Sequence, residues 1–261
     1  EGRRVASGEW CGRMDADDFS HPTRIERQLE FLEQHPDIAG CGTAVRVVGA
    51  PAADPGRGFA EHARWLGTLD RPEYLAAQRF VDSPVANPTG LVRASALEAI
   101  GGFKDPPWAE DYDSWLRLLD AGFAICTLGE VLLDWHDSSG RLTRTDPRYS
   151  GEMFSRAKAH YLAKLPMVRE RGVEIAGAGP IGKRMARDLA REGVQAHCFW
   201  EVSERRIGER IGGVPVRSHE HFCRGGGVLL GAVGLPGARE RLFQLADEAG
   251  YREGVDYFAV A

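Results

Sequence analysis

Residues 13–24, RMDADDFSHPTR, place three carboxylates within four positions: Asp15, Asp17 and Asp18. Charges this crowded repel one another unless something positive neutralises them. Mg2+ or Mn2+ would do so, taking oxygen ligands from one or two carboxylates together with substrate phosphates. Asp15 and Asp17, two residues apart, project to one side of an extended backbone. At the carboxyl end of a strand they would stand where α/β sheets bind ligands. Turn and helix-cap chemistry uses the same residue types, with Asp17 or Asp18 opening the following helix. The D-x-D alone does not choose between these readings.

Two other groups could do chemistry. Glu110, Asp111 and Asp113 crowd the start of a helical pattern over residues 109–122. A carboxylate in a first helical turn is held ionised by the helix dipole and can serve as a general base, or be a helix-terminal acid and no more. Further on, Gly177, Gly179 and Gly182 form G-x-G-x-x-G between a strand pattern and a helix pattern. Such glycines allow a tight turn and bring phosphate to a helix N-terminus. Glu201 follows at about the 20-residue spacing of a ribose-binding acid. A helix–sheet packing turn with no ligand explains the same glycines.

The elements that must position these groups alternate between α and β. Residues 1–8 read as a helix tail ending at Gly8 and residues 9–16 as a short buried strand. Ser20 caps a helix with Pro22 in its first turn. Ile25, Leu29 and Leu32 give that helix one apolar stripe, and it stops before Pro36. Residues 38–49 are strand and residues 50–58 loop. A helical stretch spans about residues 60–80. Residues 87–93 are extended. Ser95 and Glu98 have capping-box spacing, with Gly101 and Gly102 closing that helix. The helix over residues 109–122 buries Tyr112, Trp115, Leu116 and Leu119. Residues 130–136 are strand, and residues 137–150 are polar and turn-rich.

From residue 172 the chain repeats strand, glycine turn, helix, strand, as expected of a small α/β domain with a parallel sheet. Ile181, Met185 and Leu189 form the core stripe of its first helix. The expected organisation is a first domain at residues 1–150, a helical connector at 151–171 and a second domain at 172–261, with the boundary near residues 165–172.

Composition narrows the function. The chain has 261 residues, 43% apolar and 27% charged, with a net charge of −5. That balance argues against a nucleic-acid partner. No apolar run approaches the roughly 20 residues of a transmembrane helix. Five cysteines without a CxxC pair suggest reduced thiols and no zinc framework.

Residues 6–43 resemble the metal-binding region of family 2 glycosyltransferases, inverting GT-A-fold enzymes that use nucleotide sugars. The matching positions are Ser7–Gly8–Glu9, Met14 to Asp18, Ser20, Pro22, Arg24 and His35–Pro36–Asp37. Residues 83–103 resemble the family's acceptor-side segment, which reads His-Pro-Thr where this chain has Asn87, Pro88 and Thr89. AEDYDSWLRLLDAGF resembles the family's Glu-Asp motif.

The resemblance implies Asp17 and Asp15 as ligands of Mg2+ or Mn2+, Asp111 as general base and Glu110 as its neighbour. It places Asn87 and Thr89 on the acceptor side. His136, Arg141 and Arg144 fall in a loop near the donor diphosphate, where guanidinium forks match phosphate oxygens. A solvated basic loop is the alternative, and His136 could be a satisfied interior histidine.

The resemblance covers residues 1 to about 150 and lacks the β-α-β half that grips the nucleotide. The expected fold is therefore a partial GT-A domain followed by a small Rossmann-like parallel α/β domain, in a fragment of a longer parent and inactive by itself. Residues 207–222 resemble the small Rossmann-like domain of sugar-modifying acyltransferases. The implied partners are a nucleotide-sugar donor, commonly UDP-linked, and a glycan or glycolipid acceptor. Polysaccharide biosynthesis in the cytoplasm, at the membrane surface, is implied with them.

A different class of function is a non-catalytic nucleotide or sugar-nucleotide binding module built on Gly177, Gly179, Gly182 and Glu201. NAD is a conceivable ligand there, although no dehydrogenase residues follow.

Overall fold

The computed structural model describes residues 7–49, 57–138, 140–235 and 237–261. It divides into two units, one of residues 1–79 and 83–149, the other of residues 80–82 and 150–261. Both are α/β. Most of the helix tail expected at residues 1–8 lies outside the described residues.

The front unit runs β1 (Trp10–Gly12), β2 (Phe19–Ser20), α1 (Arg24–Gln34), β3 (Ile38–Val48), α2 (Arg57–Leu66) and α3 (Pro72–Gln78). A 3-10 turn (Asn87–Thr89), β4 (Leu91–Arg93), α4 (Ala94–Ala99), α5 (Glu110–Asp120), β5 (Ala124–His136), α6 (Leu142–Thr145) and a second 3-10 turn (Pro147–Tyr149) complete it. The sheet order is β1-β4-β3-β5-β2. β3 and β5 are parallel and the other pairs antiparallel. β3 is buried over its first eight residues, which explains a run of small and β-branched residues without polar alternation. Leu66, Leu69, Leu75, Leu97, Trp115 and Leu118 pack one side of this sheet. Leu32, Ile38, Cys41, Leu91 and Cys126 form a second cluster.

Several local expectations change. β1 stops at Gly12 rather than continuing through the acids. The Arg13 N–H donates to the Gly90 carbonyl at 2.8 Å and the Asp18 N–H to the Asp15 carbonyl at 3.3 Å, so the acids lie on a turn. Ser20 does not cap α1. It pairs with β5, and its Oγ accepts from Arg24 Nε at 2.7 Å, so the helix begins after Thr23. Ile25 is 40% exposed. Asn87 to Thr89 form a 3-10 turn rather than extended chain. Ser95 lies inside α4, which has no side-chain cap. The buried face of α5 includes Leu118, with Leu119 only partly covered.

The rear unit contains α7 (Gly151–Leu162), α8 (Pro166–Arg171), β6 (Val173–Ala176), α9 (Pro180–Arg191) and β7 (Ala196–Glu201). β8 (Arg210–Ile211), β9 (Val214–Ser218), β10 (Val228–Gly231), α10 (Ala238–Glu248) and β11 (Tyr257–Ala259) follow. Its sheet order is β11-β10-β6-β7-β9-β8, parallel except for β8 against β9. Strand order reverses at β6, creating a crevice beyond the carboxyl ends of β6 and β10. Helices α7 and α8 belong to this unit. Lys158 of α7 donates to the carbonyls of Val81 at 2.8 Å and Val260 at 3.0 Å, and Ser155 donates to Asp188 at 2.8 Å.

Candidate active site

The front unit brings three segments to one place: the acidic turn after β1, the first turn of α5, and the chain leaving β5. Arg13 joins the first two. Its Nη1 lies 3.2 Å from Glu110 Oε2 and its Nη2 2.9 Å from Glu110 Oε1. This fork-to-fork ion pair fixes direction as well as distance. The guanidinium also stacks over Phe103, 4.9 Å from the ring centroid.

Asp111 follows Glu110 and accepts the Tyr112 N–H at 2.8 Å. Burial pushes the Asp111 carboxyl up to about 6, with the Glu110 charge adding to it and the Tyr112 N–H and Arg13 opposing. The helix dipole was expected to hold this group ionised. Burial outweighs the dipole and leaves Asp111 poised to exchange a proton near neutral pH.

The acidic turn is tied to β5 by Asp18, whose Oδ1 accepts the His136 N–H at 2.8 Å. Asp18 Oδ2 is buried with no hydrogen-bond partner. Burial raises the pKa of Asp15 and of Asp18. Arg13 opposes the rise at Asp15, to which Asp17 and Glu110 add, and the His136 N–H opposes it at Asp18, to which Asp15 and Asp17 add. Asp17 is exposed. The donor set is therefore all oxygen, mutually repulsive and open on one side. Among the described residues no group of three or more His, Cys, Asp or Glu is placed to hold a metal ion. Asp15 and Asp17 supply oxygen donors of the type a hard dication takes, the rest of whose shell would come from water and phosphate.

The Arg141 guanidinium sits over a pair of touching rings, 4.4 Å from the Phe59 centroid and 4.6 Å from that of Trp135, and its Nη1 donates to the His136 carbonyl at 3.2 Å. Burial lowers its pKa, opposed by Asp137, Asp18 and Asp17. Arg144 is committed elsewhere, to Asp137 Oδ2 at 2.9 Å and the Ser138 carbonyl at 3.0 Å. The His136 side chain is exposed, so the interior reading of that residue fails.

On the proposed acceptor side, Asn87 Oδ1 is buried without a partner beside Arg13, Ser114 and Trp115. Thr89 is fully buried. Its hydroxyl donates to the Ala86 carbonyl at 2.7 Å and accepts the Thr43 N–H at 3.1 Å. Thr89 thus shapes the turn that presents Asn87 and offers no free group to a substrate.

Arg13 and Tyr149 are the residues that sequence reasoning missed. The signal for Arg13 was its place directly before three acids, where a counter-charge is needed. Tyr149 gave no local signal. Burial, with the nearby charges of Asp111 and Glu110 adding, raises the pKa of its phenol.

In the rear unit, Gly177 has φ +108°, and a Cβ on it would lie 2.8 Å from the Ala232 carbonyl oxygen. A Cβ on Gly182 would lie 1.9 Å from the Gly177 carbonyl oxygen. Helix–strand packing alone therefore requires both glycines. Gly179 has open space where its Cβ would be. Glu201 accepts N–H groups from Ala178 at 3.1 Å, Val202 at 2.8 Å and Ser203 at 3.1 Å. Its carboxylate is committed to holding the turn rather than free for a ribose. Ile181 is 36% exposed, whereas Met185 and Leu189 are buried. Ile181 thus falls off the expected core stripe.

Residues 1–101 match the family model described as Glycosyl transferase family 2. Over 148 residues the chain is 32% identical to EpsE of Bacillus subtilis (strain 168), assigned as a glycosyltransferase, covering 56% of this chain and 49% of that protein. It is 26% identical over 127 residues to the amylovoran biosynthesis glycosyltransferase AmsE of Erwinia amylovora, covering 46% and 42%. The chain thus spans about half the length of the curated relatives it matches. Among solved structures it is similar to S. aureus TarS 1–349 in complex with UDP-GlcNAc, with a TM-score of 0.43, 15% identity, and coverage of 72% of this chain and 50% of that one. Over residues 1–101 the chain is thus similar to glycosyl transferase family 2.

Proposed function

We propose that the front unit is the metal- and acceptor-side part of a GT-A domain. It transfers a sugar, of the hexosyl class, from a nucleotide-diphosphate donor to an acceptor hydroxyl with inversion. One observation carries this reading: the Arg13–Glu110 fork locks the acidic turn to the helix start that bears Asp111, a carboxyl titrating at about 6.

Asp17 and Asp15 would hold Mg2+ or Mn2+, which supplies positive charge for the departing diphosphate. Arg141, held against Phe59 and Trp135, adds a guanidinium to the same side. Asp111 takes the proton from the acceptor hydroxyl as that oxygen bonds to the anomeric carbon. The bond from that carbon to the diphosphate oxygen breaks in the same displacement, so configuration inverts. Glu110 is held by Arg13 and keeps Asp111 poised by its charge. Asn87 presents its free carbonyl oxygen to the acceptor.

The name of AmsE, which refers to amylovoran biosynthesis, supports a polysaccharide product. A UDP-linked donor and a glycan or glycolipid acceptor at the cytoplasmic membrane surface are part of this proposal. No helix among the described residues is long and apolar enough to cross a membrane. The test is sugar transfer from a panel of UDP- and GDP-sugars by the full-length protein carrying this chain. Asp111→Asn and Asp17→Ala should each lower kcat at least a hundredfold, and EDTA should do the same. Undiminished transfer by Asp111→Asn would overturn the reading.

A second reading concerns the rear unit, where the open space over Gly179 at the N-terminus of α9 favours a phosphate-bearing nucleotide or sugar nucleotide. Binding there should survive Asp17→Ala and be lost in Gly179→Val.

A further inference from the structure

The helix that carries the β6–β7 crossover has no counterpart between β7 and β9. Residues 202–213 make that connection with turns and the short β8, and contain no helix. A parallel sheet is ordinarily covered on both faces by its crossover helices. Here the space beside α9 stays open as a groove of about 700 Å3, within the size range of small-ligand sites. One wall is the face of α9 that carries Lys183, Ala186, Arg187 and Ala190, which recur at helical spacing. The other wall is the β8–β9 hairpin, with Arg210, Val214 and the Gly212–Gly213 turn. The groove reaches the amino end of β7 at Ala196 and His197, so it is separate from the crevice at the carboxyl ends of β6 and β10.

The charge in this groove has one sign. Lys183, Arg187 and Arg210 line it and no Asp or Glu does, although the chain as a whole has a net charge of −5. Arg187 is balanced by Asp188, 3.0 Å from its Nε, and by Glu152, 3.5 Å from its Nη2. The other two cations are not balanced. Lys183 is exposed, and among the described residues its ammonium has no hydrogen-bond or ion-pair partner. Arg210 Nη2 donates to the Gly213 carbonyl at 2.6 Å, which holds the guanidinium on the hairpin turn without neutralising it. Two unneutralised cations lining one groove attract an anion into it. No Phe, Tyr or Trp lines the groove, so a nucleobase finds no ring to stack on. Ala186, Ala190 and Val214 instead offer a small apolar surface to the C–H face of a sugar.

We propose that this groove binds an anionic sugar, one that carries a phosphate or a carboxylate, with Lys183 and Arg210 holding the charge. The test is a 1H–15N NMR titration of the chain with glucose 1-phosphate, glucuronate, glucose and inorganic phosphate in parallel. Glucose 1-phosphate or glucuronate should shift the amides of α9 and the β8–β9 hairpin, and whichever binds more tightly identifies the anionic group. Glucose and inorganic phosphate should each bind at least tenfold more weakly. Lys183→Gln and Arg210→Gln should each weaken binding about tenfold, and added NaCl should weaken it too. Ala190→Trp keeps both cations but fills the groove, and it should abolish binding. All three variants change exposed side chains. Shifts that are absent with both anionic sugars, or centred on the Gly177–Gly179 turn, would overturn the proposal. So would unchanged affinity in Ala190→Trp, which would put the anion on surface cations outside the groove. Inorganic phosphate binding as tightly as glucose 1-phosphate would overturn it as well, since the sugar would then contribute nothing.

Discussion

Asp111→Asn should make the protein more stable at neutral pH while abolishing transfer. The carboxyl titrates at about 6 in the folded chain, against an ordinary value of 3.8. Below 3.8 the group is protonated whether folded or unfolded, and it costs nothing. As pH rises, the unfolded chain ionises first, so stability falls until the folded group also ionises near 6. The gap of about two pH units corresponds to about 3 kcal/mol lost at pH 8, and about 1 kcal/mol already lost at pH 4.5. Asparagine keeps a carbonyl oxygen for the Tyr112 N–H without the charge. Urea denaturation of both proteins at pH 4.5 and pH 8 checks this. The advantage of the variant should grow by about 2 kcal/mol between those conditions. An asparagine variant less stable than wild type by the same amount at both pH values would show that Asp111 is not a strained, buried acid, and the argument for its basicity would fall.

Other consequences follow from the same geometry. Mn2+ titrated into the chain should give an EPR-detected bound fraction that is lost when Asp15 and Asp17 are both changed to Asn; binding that persists would place any metal elsewhere. Arg13→Ala leaves Glu110 unpaired beside Asp111. Because the two side chains are 25% and 30% exposed, the loss should be about 1–3 kcal/mol, between an exposed and a buried pair, and the Asp111 NMR midpoint should rise. Gly182→Ala must move backbone, since the new methyl meets the Gly177 carbonyl oxygen at 1.9 Å. It should cost the rear unit about 3 kcal/mol or more by denaturation, whereas Gly179→Ala should cost less than about 1 kcal/mol.

The parts legible in the sequence were those set by short-range pattern. The α5 stripe and its leading acids, and the strand–glycine turn–helix of the rear unit, are local periodicities and appear close to where the residues put them. The turn that carries Asp15, Asp17 and Asp18 was not legible as a turn. β1 ends at Gly12 because its partner β4, far along the chain, begins opposite it at Leu91. Ser20 has the residue type of a cap, yet pairing with β5 claims it. Glu201 stands at the spacing of a ribose ligand, but three neighbouring N–H groups occupy it. Arg13 was invisible for a related reason: it matters through Glu110, a carboxylate that the fold brings to it.

The most direct test is the pH dependence of kcat/KM for sugar transfer by the full-length protein. The account predicts a rate that rises with loss of a single proton at a midpoint near the Asp111 value of about 6, and a profile without that limb in Asp111→Asn. A limb that persists unchanged in Asp111→Asn would contradict it.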